Sequence, residues 1–498
     1  MTWIHPLTPE NGQGADVLGG KGHGLVVLRR LGLPVPPGFV IGTGACRAFL
    51  RDGRFPDGLD AELAAAVSGL EAVTGRRFGG PGRPLTVSVR SGGAVSMPGM
   101  MNTVLNVGLT AEATAGLAAE TGDERFALDS RLRLRSGLAA ALPGAVPDDA
   151  ERQLELAVRA VFSSWETPRA RTYRELHGIP HDLGTAVTVQ AMVYGNRDRR
   201  SGSGVAFSRD PGTGEKAPFG DVLFGRQGED VVSGGSATLP LSELAAREPE
   251  VWAGLLSALG RIEEQHRDAC HVEFTFESGE LWLLQARPGG LAGHAAVRVA
   301  VELAEEGLIT RREALRRISP QHLRHARTPR IDVTGDVLVR GVGACPGVAA
   351  GRVATSADSA VRMSAAGPVI LVRPQTSPLD LHGLAAAAGV VTALGGPASH
   401  AAVVARSLGK PAVVGASGLV VEAAGVRAGG RVLPEGALVT IDGTGGEVVE
   451  GRARVVTAPA GDHLRRLLAW ADEVSGGGSG RDDAERLTAA HAVLRGGG

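Results

Sequence analysis

Four short runs late in the chain, VILVR (369–373), GVVTAL (389–394), PAVVGA (411–416) and ALVTID (437–442), are apolar nearly throughout and rich in β-branched residues. Apolar runs of this length, bounded by glycine and proline, predict buried strands. Between the second and third, residues 400–408 keep helical spacing, so a single helix interrupts the strands. Residues 337–455 therefore read as a small, compact β/β/α domain. Upstream, residues 1–318 alternate predicted strands and helices with glycine-rich turns, which predicts a larger domain. The stretch 319–336 is rich in proline and arginine, lacks periodicity and reads as a linker. Over 456–498 come one amphipathic helix (463–474), a Gly/Ser stretch SGGGSG (475–480) with linker composition, and a short helical remnant. The expected fold class is α/β and α+β, multidomain, and 498 residues are indeed too many for one ordinary core.

Composition narrows the class. Hydrophobic residues at 43% and charged residues at 21% are normal for a water-soluble globular protein. No run of about eighteen apolar residues predicts a membrane span. The N-terminal MTWIHPLTPENGQG lacks the basic stretch and apolar core of a secretory signal. A net charge of −1 argues against a nucleic acid partner, though not against a local phosphate site. Three cysteines (Cys46, Cys270, Cys345) without metal-ligand spacing suit a reducing cytoplasm. Arginine supplies nearly all the basic charge, for the only lysines are Lys21, Lys216 and Lys410. Each surviving lysine is a weak candidate for a compact ammonium that guanidinium cannot replace. Lys21 and Lys216 fall in glycine-bearing segments, and Lys410 is expected at a helix end.

Three segments carry candidate phosphate chemistry. In LGGKGHGL (18–25), glycines surround Lys21 at a predicted strand-to-helix junction. Glycine lets backbone approach an anion, a helix N-terminus favours negative charge, and the ammonium neutralises a phosphate. The same residues also describe a plain turn. In VSVRSGGAVSMPGMMNT (87–103), a predicted strand carries Arg90 into a flexible Ser/Gly/Met loop. Such a loop can fold over a triphosphate while Arg90 clamps phosphate oxygens, or it can be irregular surface. In HVEFTFESGELWLLQARPG (271–289), two predicted strands joined at Ser278 and Gly279 line up Glu273, Gln285 and Arg287. A carboxylate beside an amide and a guanidinium can hold Mg²⁺ against a triphosphate, or can form an exposed ion pair.

Together with VTVQAMVYGN (187–196), SGSGVAFSRDPGTGE (201–215), QGEDVVSG (227–234) and EEQHRDACHVEFTF (263–276), these segments resemble the nucleotide-binding domain of pyruvate phosphate dikinases, an ATP-grasp fold. The resemblance keeps motif order from Leu18 to Ala471. It implies ATP and Mg²⁺ as cofactors. Lys21, Arg90, Gln285 and Arg287 would serve the nucleotide, Lys21 and Arg90 catalytically, and Glu273 and Gln285 the metal. Gln190, Met192 and Val193 would lie where adenine is held.

The segment GGPASHAAVVARSLGKPAVVG (395–415) is a glycine turn followed by Ser399-His400 opening a helix. An imidazole there suits a phosphoryl carrier, because the phosphorylated form is an anion favoured by the helix dipole and free N–H groups. Ala401 and Ala402 leave room for the ring to enter another site. The segment resembles the phosphohistidine signature of pyruvate phosphate dikinases and phosphoenolpyruvate synthases. The resemblance implies a swivelling domain that carries a phosphoryl group on His400, made from ATP and phosphate with release of AMP and pyrophosphate. It also implies a C-terminal (β/α)₈ barrel for pyruvate, which this sequence does not extend into.

Two positions depart from the family. His271 stands where an acid is usual, which puts metal affinity in doubt, and Ala398 stands where a phosphorylatable threonine is usual. Three functions remain open. The first is a phosphotransferase that loads His400 and passes the group to pyruvate or another acceptor, held on a separate protein or a small molecule. The others are a non-catalytic nucleotide-binding regulator or scaffold of a full-length dikinase, and a small-molecule phosphotransferase. A homodimer is compatible with each.

Overall fold

The computed structural model describes residues 2–496, except 96, 98, 142–143, 229, 231–237, 292, 325, 327–328, 333–336, 423–424, 458–460 and 478–479. Most of the QGEDVVSG segment and part of the 475–480 stretch lie outside the described residues. The architecture is mixed α/β and multidomain, in two compact units interleaved in sequence. The first comprises Met1–Ser203, Phe224–Gln227 and Glu273–Ala286, and the second Gly204–Leu223, Gly228–Val272 and Arg287–Gly498.

The first unit is built on an antiparallel sheet in the order Ile4–Pro6, Gly38–Ile41, Thr185–Ala191, Val87–Gly93, Thr103–Val107. Alternation decides its faces. Val87, Val89, Val187 and Val189 point into a core that includes Phe49, Phe55 and Phe162. The opposite face carries Ser88 and Arg90, which stand across from Gln190 and Thr188. Helix Ala150–Ser164 covers the apolar face and is capped by Asp149, whose carboxylate accepts from Arg152 N–H at 2.7 Å.

A second sheet runs in the order Leu239–Pro240, Phe219–Phe224, Gly202–Phe207, Cys270–Glu277, Glu280–Pro288. Its last two strands are the expected hairpin, with Ser278 (φ 52°) and Gly279 (φ 83°) supplying the left-handed turn.

The second unit holds an eight-stranded sheet between Val337 and Glu450. Its centre is parallel, Val348–Ala354, Val369–Arg373, Gly389–Thr392 and Ala412–Val414, and the remaining neighbours are antiparallel. All four apolar runs named above contribute strands, and helix His400–Leu408 is the crossover between the last two parallel ones.

The described part of the stretch 319–336, expected to be a linker, has secondary structure. It contains helix Pro320–Arg324 and strand Pro329–Ile331, and that strand pairs antiparallel with Val455–Thr457. The partner lies over a hundred residues away, so local periodicity carried no trace of it. Nor is 456–498 a loose remnant. Helices Asp462–Ser475 and Asp483–Gly496 share one core with Gly293–Glu305, Arg311–Arg317 and Pro320–Arg324, in which Leu487 and Ala490 are fully buried. Among the described residues no helix is long and apolar enough to cross a membrane.

Candidate functional site

Lys21 does not follow a strand. Helix Ala15–Arg30 runs through it and breaks at Gly19 (φ 66°, ψ 163°), so Lys21 opens the second helical piece. The glycine is required by contact. A Cβ at Gly19 would fall 1.7 Å from the Gly92 carbonyl oxygen, and one at Gly92 would meet Lys21 Cβ at 3.2 Å. The helix break and the end of strand Val87–Gly93 are thus in backbone contact.

Arg90 lies in the middle of that strand rather than at its end, and is 8% exposed. Its Nη2 donates to Gln190 Oε1 (2.5 Å) and to the Leu284 carbonyl (3.1 Å), while its Nε has no partner among the described residues. Gln190 is 1% exposed, and its amide nitrogen donates to Pro36 O. Both ends of that amide are therefore hydrogen-bonded within the protein, and Gln190 holds Arg90. Glu273 is half-buried, makes no ion pair or hydrogen bond among the described residues, and lies close enough to raise the Arg90 pKa against the lowering by burial. Gln285 is half-buried in the same unit.

The described residues of the Ser/Gly/Met segment, expected as a flexible loop, include anchored positions. Met97 and Met100 are buried, and Arg169 donates to the Met100 carbonyl and to Asn102 Oδ1.

The first unit also holds a cavity of about 530 Å³, lined by Arg29, Pro36, Thr86, Met192, Val193 and Trp282 among others. The backbone beside it is selectively satisfied. Ala191 N–H goes to Pro37 O, Met192 N–H to Thr86 O and Tyr194 N–H to Glu277 Oε2, whereas Val193 N–H has no such partner among the described residues.

Arg287 belongs to the second unit. Its Nε donates to Nδ1 of His271 at 2.8 Å. His271 is 4% exposed and packs against Phe207, with ring centroids 4.5 Å apart and planes tilted by 43°. Burial first, then the charges of Arg287 and Arg406, hold it neutral, with a pKa well below the usual histidine value. Where an acid would offer Arg287 a counter-charge, His271 offers only a lone pair.

His400 opens its helix after Ser399, whose extended backbone forms the N-cap. The ring sits beyond the carboxyl end of parallel strand Gly389–Thr392, and Thr376 beyond that of its neighbour Val369–Arg373. This carboxyl edge is where open parallel sheets present functional groups. The Thr376 hydroxyl meets His400 Nδ1 at 3.1 Å, while Nε2 and the Ser399 hydroxyl have no partner among the described residues. Burial lowers the His400 pKa to about 4, opposed by the Asp380 carboxylate. Ala401 and Ala402 are buried, so their smallness serves packing instead of clearance. The turn before the ring is also held. Ala398 packs with Val205, Phe207 and Leu223, its N–H reaches Asp221 Oδ2 at 3.4 Å, and half-buried Arg406 donates to the Pro397 and Ala344 carbonyls.

The other two lysines are structural. Lys216 pairs with Glu306 at 2.8 Å, and Lys410 donates to the Ala385 and Ala387 carbonyls at the end of helix Leu381–Ala386.

Residues 51–238 match the model of the pyruvate phosphate dikinase AMP/ATP-binding domain, and residues 365–446 that of the PEP-utilising enzyme mobile domain. The chain is 39% identical to pyruvate, phosphate dikinase of Rhizobium meliloti over 94% of its own length and 60% of the relative's. It is 40% identical to pyruvate, phosphate dikinase 2 of Zea mays, over 92% and 58% respectively. The chain carries the nucleotide-binding and mobile domains of pyruvate phosphate dikinases. It spans about 60% of the length of these dikinases. The dikinase nucleotide-binding match includes Arg90, Gln190, Met192 and Val193, and the mobile-domain match includes Thr376 and His400. Sequence reasoning missed Thr376, whose signal was only a hydroxyl just past a predicted strand adjacent to the histidine's own.

Proposed function

We propose that this chain transfers a phosphoryl group from ATP to Nε2 of His400. The observation that carries it is the state of the ring: Nδ1 is anchored on Thr376, Nε2 has no partner among the described residues, and burial keeps the imidazole neutral. If Nδ1–H donates to the Thr376 hydroxyl, the lone pair lies on Nε2 and is ready to attack phosphorus. The product is an anion at a helix N-terminus, beside the unpartnered Ser399 hydroxyl.

The nucleotide fits an ATP-grasp arrangement in the first unit. Val193 N–H, flanked by backbone carbonyls in the cavity wall, offers the donor and acceptor that the N1 and N6 edge of adenine requires. Lys21 and Arg90 serve the phosphates. Glu273, an unpaired carboxylate, and Gln285 would hold Mg²⁺, which typically takes one or two carboxylates plus substrate oxygens. Mg²⁺ supplies charge neutralisation on the triphosphate when bound. With inorganic phosphate, the β-phosphoryl group bonds to Nε2, its bond to the AMP oxygen breaks, and the γ-group leaves on phosphate as pyrophosphate. The phosphoryl group then passes to pyruvate or another acceptor supplied in trans. The cytoplasm fits three free, buried thiols.

ATP labelled at the β-phosphorus, incubated with and without phosphate, tests this. Acid-labile label that is lost in His400→Ala, together with AMP, is expected. Absence of both overturns the enzyme. A nucleotide-binding regulator is the second proposal, favoured by the neutral His271 beside Arg287, and would bind ATP without forming AMP.

A further inference from the structure

The backbone that would meet adenine is held by a chain of four charged side chains. Glu277, at the end of the strand before the hairpin turn, accepts Tyr194 N–H on Oε2 at 2.7 Å. Its Oε1 accepts from Arg197 Nη1 at 2.6 Å. Arg197 Nη2 reaches Glu120 Oε1 at 3.2 Å, and Glu120 is gripped by both Nη atoms of Arg76 at 2.8 and 2.9 Å. Arg76 Nη1 also approaches the Pro84 carbonyl at 3.3 Å. The relay thus connects residue 194 with helix Ala111–Thr121 and strand Pro84–Leu85, two parts of the first unit remote in sequence.

Its setting separates it from ordinary surface pairs. The four side chains are between 14% and 25% exposed. A networked, partly desolvated set of charge-assisted bonds holds geometry far better than a solvated pair. Arg76, Arg197 and Glu277 line the same cavity as Met192 and Val193, and Tyr194 is also pinned through its hydroxyl to Thr86 Oγ1 at 2.6 Å.

We propose that this relay positions the backbone of residues 192–194 for purine recognition, with Glu277 the positioning residue through which it acts. It rests on the adenine assignment made above. Removal of the Glu277 carboxylate frees Tyr194 N–H and lets the neighbouring Val193 N–H turn away from the base edge. The phosphate-binding groups Lys21 and Arg90 stay in place, since neither bonds to the relay.

Calorimetric titration of Mg²⁺-ATP and of Mg²⁺-tripolyphosphate into the full chain separates base from phosphate recognition. Glu277→Ala is expected to weaken ATP by about ten-fold, the equivalent of about 1.4 kcal/mol, and to leave tripolyphosphate within about two-fold. Glu277→Gln retains an acceptor for Tyr194 N–H but loses the ion pair, and falls between. ATP affinity unchanged in both variants, or ATP and tripolyphosphate lost in parallel, overturns the relay. Wild-type protein that binds ATP no more tightly than tripolyphosphate overturns the adenine assignment itself and the relay with it.

Discussion

The burial of His400 makes a quantitative prediction about pH. An exposed histidine is half-protonated near 6.5, whereas burial takes His400 down to about 4. At pH 5.5 an ordinary imidazole would be about 9% neutral and His400 about 97% neutral, a gap of about ten-fold in available nucleophile. The folded-state pKa lies below the unfolded one, so neutral burial contributes stability that is complete above about 6.5. That stability is lost as pH falls toward 4, and at most about 3 kcal/mol is at stake. ¹⁵N-histidine NMR between pH 8 and 4.5, with the His400 signal assigned by its absence in His400→Asn, measures the titration directly and without ATP. The expected spectrum keeps one neutral tautomer, protonated at Nδ1, down to about pH 5. A His400 resonance that titrates between 6 and 7, or one protonated at Nε2, would refute the account of the nucleophile.

Three further perturbations follow from named contacts. Arg209 is fully buried and bonds Glu263, Glu302 and Glu306 at 2.7, 3.0 and 2.9 Å, so Arg209→Met leaves the buried Glu263 carboxylate without its counter-charge, held among the described residues only by the Ser208 hydroxyl at 2.6 Å. It should cost about 3 kcal/mol, read as a lowered unfolding midpoint, and a loss under about 1 kcal/mol would show the cluster to be dispensable. Gly19→Ala forces a Cβ into the Gly92 carbonyl oxygen at positive φ. It should cost about 2 kcal/mol and weaken ATP binding, whereas an unchanged melt and affinity would contradict the close approach. Thr376→Val removes the Nδ1 partner and should slow His400 labelling about ten-fold, with Thr376→Ser restoring most of the rate. Labelling at the wild-type rate in Thr376→Val would sink the tautomer argument.

The strands of the second unit were readable because Val369–Arg373, Gly389–Thr392, Ala412–Val414 and Leu438–Asp442 are buried on both faces, and burial leaves continuous apolar runs. The hairpin was readable for the complementary reason, alternation on either side of a glycine turn. Partner-dependent features were not. The break at Gly19 is set by Gly92, the role of Gln190 by Arg90 and Pro36, and the strand Pro329–Ile331 by Val455–Thr457. His400 stood out through its glycine turn and helix start, yet its anchor Thr376 comes from another loop, and that pairing exists only once two parallel strands lie side by side.

The antiparallel pairing of Pro329–Ile331 with Val455–Thr457 also bears on modularity. Ile331 and Val455 are direct partners, so the chain leaves for the eight-stranded sheet and returns from it through neighbouring positions, with Cα atoms about 5 Å apart. Helices on either side of this doorway, Pro320–Arg324 before it and Asp462–Ser475 after it, belong to one core. The His400 module is therefore topologically a guest inserted into a helical host. Because its two ends are adjacent, the module can be excised and the host closed with a turn of a few residues. A foreign domain with closely spaced termini could be seated in its place without asking the host core to move.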